Sequence, residues 1–297
     1  MENTKIEWTD HSWSPWYGCT KVSAGCANCY AETLNHRFGG NNWGKGKPRR
    51  KCADWNRPRR WNRSVEEPLS IPTPDIPWYR PKVFPSQCDW LDPEVPIEWL
   101  AEFLQLIYET PNLTWQLLTK RPELWKERMI EVMEHTDQSS CPGEIKAYSL
   151  AMRWLQDNPP ANVWLGTSVE DQKNANERIP TFVDYVPATL RFLSVEPLLG
   201  PIEFGGDPDG IDWVIIGGES GKGARPCNLD WIRWIKDQCV DAGVPVFVKQ
   251  LGSKPYFAPE HDGATGGFMA FKHPKGGDWT EWPEYLRVRE MPKGDYH

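Results

Sequence analysis

Between residues 81 and 252 short apolar runs alternate with helical patterns, and no other feature constrains the fold as tightly. The runs 82–88 (KVFPSQC), 114–119 (TWQLLT), 162–168 (NVWLGTS), 190–195 (LRFLSV), 212–216 (DWVII) and 244–249 (VPVFVK) have the length of strands. Between them lie helical stretches at 96–108, opened by Pro96, and at 122–134, 147–156, 171–183 and 229–242, the last ended by Gly243. Such alternation predicts parallel β-α-β units. One strand before the first cysteine brings the total to about seven, which gives an α/β fold with a full or partial (β/α) barrel. A doubly wound open sheet is the alternative.

The flanks read differently. Residues 1–80 are rich in Trp, Gly and Arg with little periodicity, and residues 253–297 are rich in Gly and Pro. The expected organisation is one domain over 1–297: an irregular N-terminal extension at 1–80, a β/α core at 81–252 and a C-terminal extension at 253–297. No apolar stretch reaches the length of a membrane span, and the first residues, MENTKIEWTD, lack the apolar core of a secretory signal. A cytoplasmic protein with no membrane partner is expected. In that setting the eight cysteines read as thiols or metal ligands before disulfides. The net charge of −7 argues against indiscriminate binding along a phosphate backbone, while leaving room for a local basic patch.

Cys19, Cys26 and Cys29 form a C-x6-C-x2-C cluster, with Gly18 and Gly25 each preceding a cysteine. Glycines there let backbone pack closely round a compact inorganic core. The sequence after Cys29 is helix-like, which puts the third thiol at a helix start, a position that favours thiolate. Three close cysteines without a fourth suit a [4Fe-4S] cluster with one open iron. An open iron can bind the amino and carboxylate groups of S-adenosylmethionine (SAM), whose reductive cleavage yields a 5′-deoxyadenosyl radical. The competing readings are a zinc site completed by His11 or His36 and an ordinary group of reduced thiols. Cys52, Cys88, Cys141, Cys227 and Cys239 lack partners at ligand spacing, Cys88 being the least clear because it ends a strand.

Parallel α/β folds build their sites at the carboxyl ends of strands. Here those ends read Ser86-Gln87-Cys88-Asp89, Thr119-Lys120-Arg121, Ser168-Val169-Glu170, Ser194-Val195-Glu196 and Gly217-Gly218-Glu219-Ser220. Residues two apart share a strand face, so Ser168 with Glu170, and Ser194 with Glu196, are expected to point inward together. Glu and Ser suit an ammonium and ribose hydroxyls, Lys120 or Arg121 suits a carboxylate, and Gly217 and Gly218 permit close approach of a ligand. For any single residue, helix capping or an ordinary salt bridge is the alternative. Lys249 ends the last strand.

Residues 45–63 (KGKPRRKCADWNRPRRWNR) interleave cations with tryptophans. Arg49, Arg50, Arg59 and Arg60 with Trp55 and Trp61 suit phosphate contact and base stacking, hence a nucleotide or nucleic-acid substrate. The equally weighted alternative is a solvated segment whose arginines pair with the protein's own carboxylates.

Several stretches together resemble a family of phage and prophage proteins with a three-cysteine motif, similar to a divergent branch of the radical SAM enzymes. They are IEWTDHSWSPWYGCTKVSAGCANCYAE, LLTKRPE, NVWLGTSVEDQ, RFLSVEPLLGPI, IDWVIIGGESG with Arg225-Pro226, VPVFVKQLG and GGDWTEWPEYLRVREMP. The resemblance implies a barrel-like fold of the radical SAM type, a cluster on Cys19, Cys26 and Cys29, SAM as cofactor and an electron donor of the flavodoxin or ferredoxin type. Three features depart from radical SAM custom. The first cysteine gap is longer, and Asn28 precedes the last cysteine while Tyr30 follows it. The Gly-Gly-Glu motif that usually follows the second strand stands late, at Gly217–Glu219, so Asp89 and Glu219 compete as partner for the SAM ammonium. The expected function is a radical SAM enzyme modifying or repairing a nucleotide or nucleic-acid base; the alternative is a zinc- or cluster-stabilised nucleic-acid binder without turnover.

Overall fold

The computed structural model describes residues 1–66, 80–137, 139–206, 208–258 and 266–292. Residues 67–79, 259–265 and 293–297 of the two extensions lie outside the described residues. Seven strands form the main sheet: β1 His11–Ser12, β2 Lys82–Phe84, β3 Thr114–Thr119, β4 Val163–Ser168, β5 Leu190–Val195, β6 Trp213–Gly217 and β7 Val246–Gln250. Every neighbouring pair is parallel, and spatial order equals chain order. A doubly wound sheet reverses its order at a switch point. This one never reverses, so the chain winds one way into a partial (β/α) barrel, the first of the two expected architectures.

Among the described residues seven helices accompany the strands: α1 Tyr30–Arg37, α2 Asn56–Glu66, α3 Ile97–Glu109, α4 Trp125–Thr136, α5 Pro142–Leu155, α6 Gln172–Tyr185 and α7 Leu229–Asp241. Their ends follow local chemistry. The Asp171 carboxylate accepts from the Asn174 amide at 2.9 Å and opens α6, and the Asn228 side chain accepts from the Asp230 amide at 3.0 Å and opens α7. Gly243 at φ +71° follows the end of α7. Strand β2 is shorter than its apolar run suggests, because Pro85 has no amide to continue the ladder. Helix α5 begins five residues before its expected start, with Pro142 in its first turn. The basic segment, expected to be irregular, holds the first two turns of α2.

Strand alternation sorts the interior into two apolar layers. Val83, Trp115, Leu117, Val163, Leu165, Leu193, Val195, Val214, Ile216, Val246 and Val248 pack in the large core beneath the helices. Trp8, Phe84, Trp164, Leu190, Phe192, Trp213, Ile215 and Phe247 pack together on the opposite face, inside the curl of the sheet. Continuing that inner face toward the carboxyl ends leads from Trp164 to Ser168 and Glu170, from Phe192 to Ser194 and Glu196, and from Phe247 to Lys249. The half-barrel therefore has an aromatic floor and a polar rim. The C-terminal extension covers the β7 edge: Val248 donates to the Val288 carbonyl at 2.9 Å and Glu290 to the Val246 carbonyl at 2.8 Å. Among the described residues no helix is long and apolar enough to cross a membrane.

Candidate functional site

The loop leaving β1 carries the three cysteines to the polar rim. Gly18 adopts φ +119°, and a Cβ there would fall on the Asn42 carbonyl and lie 2.9 Å from Arg49 Cδ. Its amide reaches the Gln87 carbonyl at 3.3 Å, and it forms a parallel bridge with Cys88 just beyond β2. The Cys19 carbonyl accepts from the Gly44 amide at 3.0 Å. A short helical turn at Ala24–Cys26 and the start of α1, where Cys29 is the N-cap, hold the other two cysteines. All three line one cavity of about 130 Å³, together with Cys88 and Trp43. Of the residues expected to hold a cofactor, Tyr30, Ser86, Asp89, Lys120 and Ser168 line the same cavity; Glu170, Ser194, Glu196, Gly217, Gly218 and Glu219 lie outside its lining.

Three buried carboxylates latch the cysteine loop to the barrel. Glu170, with no exposed surface, accepts from Ser23 Oγ at 2.8 Å and Arg178 Nη1 at 2.9 Å and pairs with Lys120. Gly25 lets the loop come this close, since a Cβ there would lie 2.6 Å from Glu170 Cδ. Glu219 receives four donors: Asn28 Nδ2 at 3.0 Å and the Arg225 backbone N, Nε and Nη2 at 2.8, 2.9 and 2.6 Å. Arg225 also donates to the Ala24 carbonyl at 2.9 Å. Asp89 likewise receives four, from the Leu91 amide at 3.1 Å, Thr119 Oγ1 at 2.7 Å, the Lys120 amide at 3.0 Å and Arg121 Nη1 at 2.7 Å. Arg121 in turn donates to the Thr20 carbonyl and points at Cys19 Sγ, 3.6 Å away. A carboxylate has about four lone-pair sites. Asp89 and Glu219, the two candidates for the SAM ammonium, both hold the loop: Asp89 takes two donors on each oxygen, whereas Glu219 takes three on Oε2 and one on Oε1.

Glu196 pairs with Lys249 at 3.0 Å, and the missing side chain of Gly217 makes room for it, a Cβ there lying 2.5 Å from Glu196 Oε1. Gly218 packs against the protein's own backbone, its Cβ position 2.8 Å from the Leu251 carbonyl carbon. Ser86 Oγ shares a hydrogen bond with Ser12 Oγ at 2.7 Å, and the Ser86 carbonyl accepts from the Tyr30 hydroxyl. Ser168 and Ser194 are buried.

The cations of residues 45–63 mostly serve the protein itself. Arg49 is fully buried, binding Asp92 at 2.7 Å and the carbonyls of Asn42, Gly44 and Lys47. Arg59 binds Glu109 at 2.6 Å, and Arg60 binds Asp54 at 2.9 Å. Trp55 packs edge-on against Trp13 at 5.3 Å, and buried Trp61 stacks on His11 at 4.3 Å. This is the second of the two readings of the segment, self-pairing with the protein's own carboxylates. Lys45, Lys47, Arg50 and Arg63 stay exposed, Arg50 resting 4.3 Å above the Tyr17 ring.

Burial governs the thiols. It pushes Cys19 up to about 12, with the Asp89 carboxylate adding to the effect and Arg121 opposing it. Burial also raises Cys29, although the amides of Glu32 and Ala31 at the start of α1 pull the other way. The helix-start effect read from the sequence is present at Cys29 but outweighed by burial.

The cavity lining supplies three thiols as possible ligands for a metal group. Zinc bonds thiolate at about 2.3 Å, which requires sulfurs about 4 Å apart. Among the described residues no group of three or more His, Cys, Asp or Glu converges to hold one metal ion. Neither proposed fourth zinc ligand faces the cavity: His11 is stacked on Trp61, and His36 is exposed beside Glu32 at 3.8 Å. Three cysteines lining one cavity are the donor set that a [4Fe-4S] cluster with one open iron would use.

Ser23, Asn28, Arg178 and Arg225, which fasten the loop, were not distinguishable as site residues by spacing. Their only sequence signal is polarity within or beside quoted motifs. A family model described as "Protein of unknown function (DUF5131)" matches residues 3–280, and the chain belongs to that family. No curated protein and no solved structure matches the chain.

Proposed function

We propose that this member of the DUF5131 family is a radical SAM enzyme, with a [4Fe-4S] cluster on Cys19, Cys26 and Cys29. The observation that carries the reading is the convergence of all three motif cysteines on one cavity at the carboxyl ends of a parallel half-barrel. When bound, the cluster supplies one electron for cleavage of SAM. The chain's own residues hold and shield it. Glu170, Glu219 and Asp89 fix the loop, Trp43 closes one wall, and Lys120, Ser86 and Ser168 offer polar contacts beside the thiols. The Glu196–Lys249 ion pair and buried Ser194 lie farther round the rim.

A phosphate-bearing substrate, nucleotide or nucleic acid, is supported by exposed Lys45 and Lys47, in the turn whose Gly44 amide binds the Cys19 carbonyl. The kinship with radical SAM enzymes and phage proteins implied by the motifs, a flavodoxin- or ferredoxin-type donor and a cytoplasmic setting belong to the same proposal. The test is anaerobic reconstitution followed by incubation with SAM and a chemical reductant. Formation of 5′-deoxyadenosine is expected in the wild type and not in Cys26→Ala; equal product from both would refute the assignment.

A further inference from the structure

The three ligand sulfurs differ in the donor each one faces. Cys26 Sγ meets the Ser23 hydroxyl at 3.7 Å, and Cys29 lies against the first amides of α1. Cys19 Sγ meets the Arg121 guanidinium at 3.6 Å and the Thr20 carbonyl at 3.4 Å. That guanidinium is 4% exposed and cannot wander. Asp89 holds it at 2.7 Å, the Thr20 carbonyl takes its other arm, and the Arg121 amide is fixed by Thr119 Oγ1 at 2.9 Å. Asp89 is itself fixed by Thr119, Leu91 and the Lys120 amide. The result is a rigid relay from β3 to one ligand sulfur.

We propose that Arg121, anchored by Asp89, is a positioning residue that raises the reduction potential of the bound cluster through Cys19. The inference rests on the cluster reading given above. Reduction adds one electron, from an external low-potential reductant, and that negative charge spreads onto the cluster sulfurs. A buried cation beside one sulfur stabilises the reduced form more than the oxidised form, and burial keeps it unscreened. Asp89 partly offsets the cation, so the two residues set the potential in opposite directions. Asp89, a candidate ammonium partner by sequence, takes instead the role of trimming Arg121.

The experiment is a reductive titration, followed by visible absorbance and paramagnetic resonance, of reconstituted wild type, Arg121→Gln, Arg121→Lys and Asp89→Asn. Arg121→Gln is expected to hold the wild-type amount of iron at a more negative midpoint potential. Arg121→Lys should fall between the two, and Asp89→Asn should move to a less negative value. Should Arg121→Gln take up no iron, Asp89→Asn decides: a less negative midpoint supports the role, and an unchanged or more negative one overturns it. Equal midpoints for wild type and iron-replete Arg121→Gln overturn the tuning role alone. A wild type that binds no iron overturns the cluster reading and this inference with it.

Discussion

Gly25→Ala tests the latch between the cysteine loop and the barrel. The new methyl would lie 2.6 Å from Glu170 Cδ, about 1 Å inside ordinary contact. Glu170 has no exposed surface and is held by Arg178 at 2.9 Å, by Lys120 and by Ser23 at 2.8 Å, so it has nowhere to retreat. Either the carboxylate leaves those partners or the loop lifts. Overpacking costs about 1–3 kcal/mol, and a weakened charged hydrogen bond adds about 1 kcal/mol. The expected loss is thus about 2–4 kcal/mol, or on the order of 5 °C in melting temperature for a chain of this size. The assay is a thermal melt of the metal-free protein, paired with the rate at which Cys26 is alkylated. Gly200→Ala is the control, since a Cβ there meets nothing within 4 Å. Stability and Cys26 reactivity equal to the control in Gly25→Ala would refute the latch.

Glu109 gives a pH signature. Burial alone would raise its carboxyl, but Lys146, Gln105 and Arg59 together hold it down to about 2, below the ordinary 4.5. A lowered folded value stabilises above 4.5 and is lost as pH falls toward about 2, so Glu109→Gln should be less stable than wild type at pH 7, by on the order of 2 kcal/mol, with the gap closing toward pH 2 in melts across that range. In the metal-free protein at pH 8, exposed Cys141 should be alkylated roughly tenfold or more faster than Cys19, Cys227 and Cys239, all pushed up to about 12 by burial; peptide mass spectrometry reads the order, and a fast Cys19 would contradict its buried setting. Because Arg49, Arg59 and Arg60 are spent on internal carboxylates, single-stranded oligonucleotide binding should weaken with salt by a slope of only about 2–3 released ions, and a slope near that expected for the whole segment would reinstate those arginines as phosphate contacts.

Much of the scaffold was legible because strand and helix periods differ. The runs at 114–119 and 190–195 match β3 and β5 residue for residue, and Asp171 and Gly243 flank their helices as their chemistry requires. Spacing of two along a strand also placed Ser168 with Glu170, and Ser194 with Glu196, on the polar rim. Periodicity could not show that Glu219 and Asp89 face Arg225 and Arg121, because ion pairs across the fold leave no local pattern. Nor could it separate Arg49, buried on Asp92, from exposed Arg50 beside it. Cys88 had no partner at ligand spacing, yet the parallel bridge to Gly18 brings it to the cavity wall. The helix that starts in the basic segment was obscured because its apolar stripe comes down to Pro58, Trp61 and Val65 among dense arginines and asparagines.

The central claim is most directly tested by iron and sulfide analysis of the anaerobically reconstituted protein, with absorbance recorded near 400 nm. About four irons per chain, with brown colour that Cys26→Ala abolishes, is the expected result. A colourless protein that takes up one zinc, and keeps it in Cys26→Ala, would contradict a cluster held by Cys19, Cys26 and Cys29.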